Sequence, residues 1–426
     1  MEQALAYSTL AMTVALAVSR PRLWRSRLRV TPGIAAVLGV LALLLTQLLR
    51  FEDLVTSARI QWRPLLALTS IMVMTGVVKE VGTFERLALR LEAHARNTSA
   101  RRAFDVIFLA SVITPSLLNN DAAILLLTPV VIVLARRLYP GHPKVLEALV
   151  FAVFLAPGVA PFVISNPMNM IVAEFAGVGF NAYAATMLPI SMVGALLTYV
   201  VLRLHYREVL TVIAAPAAAT EIPAPHRAER PALLLMLGVF CSYPLMAALG
   251  GPIWSIAVLG ALGCLVLARR YRVASARQLA GHVSIDILAF LWGVFLVVSA
   301  LRNVGLVDRL AGLYEAQRGG GPQLATVGVV SALGSAIVDN HPMSILNMMA
   351  LGTQGGSRPL LAALIGGDIG PRLLPIGSLA GLLWMDLLRR RGIEIGIGKF
   401  VKLGTLVLLP TLTVSLLLLW LLSPGS

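Results

Sequence analysis

Apolar segments of about twenty residues recur from one end of this 426-residue chain to the other. About twenty helical residues cross roughly 30 Å of hydrocarbon. An unpaired backbone amide is costly in lipid, so such segments are read as helices. Charged residues make up only 13% of the chain, about half their share in a soluble domain. The sequence therefore predicts an all-α polytopic membrane protein embedded in a lipid bilayer.

Ten crossings are read from apolar runs between polar or Gly/Pro breaks. They lie near residues 4–19, 33–50, 64–82, 147–178, 182–204, 231–249, 253–269, 285–302, 358–388 and 399–422. The first run is preceded by Glu2 and followed by RPRLWRSRLR, the reverse of a secretory signal, so a retained first helix is expected.

Two further apolar segments carry polar residues at their centres: 103–136, around Asn119, Asn120 and Asp121, and 322–351, around Asp339, Asn340 and His341. Each is expected to be a re-entrant hairpin that returns to the side it left. With both hairpins in place, the loops assigned to the cytoplasm hold 27 of the 35 Lys and Arg residues. Seven lie opposite, and Arg372 alone falls inside a span. This asymmetry fits the positive-inside rule and puts both termini outside. The net charge of +15 is thus accounted for as topogenic, in short clusters between apolar runs, with no nucleic-acid partner.

An odd number of crossings in the first half turns the second half over. The expectation is two inverted repeats, each of five transmembrane helices, one broken, plus one re-entrant helical hairpin. They cover 1–213 and 232–426, joined by a cytoplasmic Pro/Ala-rich linker over 214–231. Weak internal likeness supports this, pairing Asp121 with Asn340 and Asn166 with Ser378.

In each half one span is interrupted. APGVAPFVISNPMNM brings Pro157, Pro161, Ser165, Asn166, Pro167 and Asn169; GGDIGPRLLPIGS brings Asp368, Gly370, Pro371, Pro375, Gly377 and Ser378. Broken helices present free backbone groups and dipole ends near the midplane, where a solute can be held. The candidate solute-binding set is Asn119, Asn120, Asp121, Ser165, Asn166, Asn169, Asn340, Gly377 and Ser378. These could equally satisfy broken backbone.

Intramembrane acids are read as functional, which makes Asp121, Asp339 and Asp368 candidate proton-coupling groups. Asn and Asp also cap turns, the plainer role for the first two. Arg372, four residues after Asp368, is its expected charge partner at helical spacing. His341 is read as a packing residue, and Glu174 and Asp386 as reaching the interface. The two cysteines form no CxxC, and no Walker A or HExxH motif is present, so no cofactor, metal site or catalytic chemistry is expected.

At these residues the sequence resembles the arsenite/antimonite efflux permeases of the ArsB type, within the ion transporter superfamily. The likeness is carried by NNDAAILLLTPVVI, VISNPMNMIVAEFAGVGFNAYAATMLPI, LRNVGLVDRLAGLY and, most specifically, GGDIGPRLLPIGSLAGLLWMDLL. The resemblance implies a secondary active transporter of the inner membrane. It would export arsenite or antimonite as the neutral trihydroxide in exchange for protons, by alternating access, with a soluble arsenite-stimulated ATPase as partner in some systems. The second tip reads VDNHP where the family pattern is closer to NN, an apolar residue and Pro, so Asp339 and His341 mark where coupling or selectivity would differ.

The alternative is a sodium/proton antiporter or organic-anion carrier of the same superfamily. The Ser-Asn-Thr tips of dicarboxylate members are absent, but two tip acids could ligate sodium. A membrane-embedded enzyme or a passive channel fits two midplane interruptions less well.

Overall fold

A computed structural model describes residues 2–19, 21, 30–96, 98–117, 120–215, 222–302, 304–317, 319–352 and 356–422. Among them the chain is helical, with a single isolated bridge between Ser99 and Ile213 as its only β pairing.

The first half runs α1 (Glu2–Ser19), α2 (Pro32–Leu45), α3 (Phe51–Glu80), α4 (Thr83–Ala95), α5 (Ala100–Leu117), α6 (Asn120–Leu138), α7 (Pro143–Leu155), α8 (Pro167–Phe175) and α9 (Phe180–His205). The second runs α10 (Glu229–Ala248), α11 (Ile253–Arg270), the short α12 (Ala276–Ala280), α13 (Ile285–Arg302), α14 (Leu306–Glu315), α15 (Gly320–Val338), α16 (Asn340–Leu351), α17 (Ser357–Ile369), α18 (Leu379–Arg390) and α19 (Ile397–Leu422).

The segments expected as hairpins are helix pairs, α5 with α6 and α15 with α16, and the arms of each pair pack together. The interrupted spans are α7 and α8, separated by a 3₁₀ turn at Val163–Ser165, and α17 and α18, separated by turns at Gly370–Arg372 and Pro375–Gly377. Proline explains both interruptions, because it lacks an N–H and clashes with the preceding helical turn.

Six helices are long and apolar enough to cross a membrane among the described residues, or seven if α3 and α4, bent by 62°, count as one span. Ten crossings were expected. The six include α15, read from the sequence as one arm of a re-entrant hairpin, and five expected crossings, α9, α10, α11, α13 and α19. Helix α3 qualifies only with α4, α1 and α2 have shorter apolar stretches, and the interrupted spans are each divided into pieces of 9–13 residues. Outward faces are apolar: α9 buries Tyr183, Met187, Ile190 and Leu202 and exposes Leu188, Met192, Leu196 and Val200. An exposed apolar stripe of this length faces hydrocarbon.

The buried apolar residues form two clusters that cut across the sequence halves. One joins α8 to α15, α16 and α17; the other joins α5, α6 and α7 to α18 and the start of α19. In the second, Trp384 stacks on Phe154 with ring centres 4.9 Å apart and meets Phe151 at 5.4 Å. Each half thus lends one piece of its interrupted span to the other half's helix pair.

Helices α15 and α17 approach backbone to backbone. A Cβ on Gly366 would overlap the Gly328 carbonyl oxygen and lie 2.8 Å from Ser331 Cβ, while one on Gly370 would lie 2.9 Å from Ala332 Cα. Gly366→Ala is therefore expected to cost about 1–3 kcal/mol through overpacking and to lower the thermal unfolding midpoint of detergent-purified protein. Gly238→Ala on α10, where nothing lies within 4 Å of the added atom, is expected to cause no such loss.

Candidate functional site

The polar residues flanking the interruptions begin helices. Asn166 precedes α8 in an extended conformation and its Oδ1 accepts from Met168 N at 3.0 Å; Ser378 precedes α18 and its Oγ accepts from Gly381 N at 3.0 Å. Such caps satisfy amides that a helix start leaves free. Asp339 caps α16 in the same way, its Oδ1 accepting from His341 N at 2.9 Å. Its φ of +79° is strained for a residue with a Cβ.

Helices α6 and α16 start at Asn120 and Asn340. Matching the halves on these starts pairs Asn120 with Asn340, one residue away from the sequence pairing of Asp121 with Asn340. Asn166 and Ser378 remain matched as capping residues.

Both interruptions and both helix pairs meet at one cavity of about 50 Å³, several times the roughly 10–15 Å³ that holds one water. Asn120, Ser165, Asn166, Asn340, Asp368 and Ser378 line it, with Arg372 alongside. Asn120 Oδ1 and Asn340 Oδ1 are buried and find no hydrogen-bond partner among the described residues.

Among the described residues, Asp368 accepts three hydrogen bonds. Asn166 Nδ2 donates to its Oδ1 at 2.8 Å; Ala160 N donates to its Oδ2 at 2.9 Å and Asn169 Nδ2 at 3.4 Å. Asn169 also donates to the hydroxyl of fully buried Tyr183 at 2.6 Å, which donates in turn to the Ala160 carbonyl at 3.1 Å. The acid of the second half is thus held by amides of the first.

Arg372 does not pair with Asp368 as expected: no ion pair within 4.0 Å joins them among the described residues. Helix α17 ends at Ile369 and the chain tightens into a 3₁₀ turn, so the helical four-residue spacing is lost. Arg372 Nη2 donates instead to the carbonyls of Leu155 at 2.8 Å and Pro157 at 3.0 Å, and Nη1 donates to Thr411 Oγ1 at 2.9 Å.

The other sequence candidates divide clearly. Asn119 lies outside the described residues, and Asp121 sits in the first turn of α6 with its side chain likewise outside them. Asp339, 5% exposed, faces a separate cleft with Val14, Pro32 and Phe290, away from the cavity. Its Oδ1 also lies 2.7 Å from His341 Nδ1, and the His341 ring sits edge-on to Phe290 at 5.6 Å. Gly377 does not line the cavity but packs against the backbone of α15 at Ala336, where a Cβ would come within 2.9 Å. Glu174 is half-exposed and pairs with Arg63 at 2.9 Å, and Asp386 pairs with Arg390 at 2.7 Å.

Sequence reasoning missed Tyr183, Thr411, Ser116 and Ser191. Ser116 and Ser191 line the cavity, and the Ser116 carbonyl accepts from Ser165 Oγ at 2.8 Å. Their only signal was a polar group inside an apolar span, which a hydroxyl bonded to its own helix produces equally well.

The family model described as arsenical pump membrane protein matches residues 9–422. The arsenical pump membrane protein of Escherichia coli is 31% identical over 399 residues, covering 90% of this chain and 92% of its own. That of Yersinia enterocolitica is 29% identical over 427 residues, covering 97% of each. The crystal structure of the YdaH transporter of Alcanivorax borkumensis is similar with a TM-score of 0.55 at 16% identity, covering 98% of this chain and 96% of that one. That likeness bears on the fold.

Replacing Asn166 removes a helix cap and a donor to the half-buried Asp368 together. Asn166→Ala is expected to cost about 1–2 kcal/mol for the cap alone and more in total, read as a lowered unfolding midpoint. Tyr183→Phe, which leaves Asp368 its three donors, is expected to cost less.

Proposed function

Because this chain belongs to the arsenical pump membrane protein family, we propose that it exports arsenite, and antimonite, from the cytoplasm as the neutral trihydroxide in exchange for protons. One observation carries this reading: the half-buried Asp368 carboxylate shares a small cavity with two amide oxygens that have no partner among the described residues, one from the start of the second helix of each pair. A neutral trihydroxide brings three O–H donors and lone pairs of its own, matching amide oxygens, serine hydroxyls and a carboxylate. No thiolate is needed to hold it.

Exchange follows from counting acceptors on Asp368. A carboxylate offers about four lone-pair positions, and Asn166, Ala160 and Asn169 occupy three of them. A solute hydroxyl and a proton compete for what remains. With Asp368 ionised the solute donates to it; when a proton binds, that donor is displaced and the solute is released. Asp121, one residue past Asn120, is the second carboxylate in this reading.

Alternating access would operate on two inverted repeats, 1–213 and 232–426, joined by a cytoplasmic linker at 214–231. Each would contribute five crossings and one re-entrant hairpin, with both termini outside an inner membrane. The matching element order of the halves supports this, as does the positive charge on one side. The close backbone contact between α15 and α17 supports movement of hairpin and interrupted span together against the remaining helices.

The test is pH-gradient-driven arsenite uptake into everted vesicles. Asp368→Asn is expected to lower the rate by about tenfold or more; Asp121→Asn is expected to lower it less, and Asp339→Asn, which keeps a capping oxygen, to leave it near normal. Undiminished uptake in Asp368→Asn would remove that residue from the exchange. Equal uptake with and without a pH gradient in the unaltered protein would remove the proton.

A further inference from the structure

A buried guanidinium normally finds a carboxylate, since an uncompensated charge is costly to bury. Arg372, 3% exposed, is placed otherwise. Its Nη2 lies on the Leu155 and Pro157 carbonyl oxygens, at the C-terminal end of α7 where the helix leaves acceptors free. Its Nη1 is held by Thr411, whose hydroxyl donates onward to the Val407 carbonyl at 2.7 Å, and its Nε has no partner among the described residues. The backbone closes around this group: a Cβ on Gly158 would come within 2.9 Å of Nη2.

Free carbonyls at the C-terminal end of a half-helix are where carriers coordinate a monovalent cation at the midplane. The cavity that Pro157 and Arg372 line also carries further oxygens: the Asp368 carboxylate and the Asn120 and Asn340 Oδ1 atoms, which have no partner among the described residues. With the Leu155 and Pro157 carbonyls they are all oxygen ligands, the kind hard cations take. The position on the carbonyls is filled by the guanidinium, whose fixed charge repels any second cation.

We propose that Arg372 is a tethered cation standing where an alkali cation would bind, so that the pocket excludes sodium and only a proton is taken up at Asp368. This rests on the reading of the cavity as the transport site, but not on which solute it carries.

The experiment measures thermal unfolding of the purified full-length protein, without arsenite, in sodium chloride against choline chloride at equal ionic strength. The unaltered protein is expected to unfold at the same temperature in both. Arg372→Ser, which opens the position, is expected to unfold at a higher temperature in sodium than in choline. That difference should vanish when Asp368→Asn is added. A folded Arg372→Ser protein indifferent to sodium would overturn the proposal. So would a sodium-specific rise in the unaltered protein that Asp368→Asn removes, a result that stands whether or not any Arg372 variant folds. Arg372→Lys, which keeps the charge, is expected to remain indifferent to sodium, and a sodium-specific rise there overturns the proposal equally. Because no arsenite is present, failure here is distinct from failure of the arsenite uptake assay.

Discussion

An interrupted helix in hydrocarbon needs partners for the amides and carbonyls it sets free, and here those partners come from the opposite half of the chain. Asp368 accepts the Ala160 N–H, and Arg372 donates to the Leu155 and Pro157 carbonyls. One interruption supplies a carboxylate that accepts from a free donor and a guanidinium that donates to free acceptors, and the other supplies the backbone they satisfy. In the proposed function, binding chemistry and structural repair would use the same atoms. The residues that would hold a solute also keep the break between α7 and α8 intact.

This arrangement makes the two halves alike in element order but unlike in charge. Residues 156–166 contain no ionisable side chain, whereas 366–378 contain Asp368 and Arg372. Asn166 and Ser378 occupy matching capping positions, yet only Asn166 has a side chain that also donates across to the acid. The halves thus meet with charged side chains on one side and neutral amides and carbonyls on the other.

Much of this was legible from residue order. Proline-rich interruptions, polar helix starts and a lone arginine within a span are local signals, and they located the helix pairs, both breaks and, among the described residues, most of the polar side chains lining the cavity. What was not legible depends on where side chains point after the chain turns. Asp339 and Asp368 are both intramembrane acids in sequence, but the strained backbone at Asp339 directs its carboxylate to cap α16, away from the cavity. The spacing of Asp368 and Arg372 implied a pair, and the 3₁₀ turn at Gly370–Arg372 separated them. Tyr183 carried no sequence signal, because its role arises only when α9 lies beside the first interruption.

The crossing of pieces between halves also bears on how the protein is made. Helix α8 packs against α3 of its own half and against α16 and α17, which are synthesised well over a hundred residues later. A nascent first half therefore reaches the bilayer with α8 and the α7 break lacking part of their permanent surroundings, including the Asp368 and Arg372 side chains. Synthesis of the second half is what completes the first, so a truncation that spares every residue before the linker would still leave an unassembled chain for quality-control proteases.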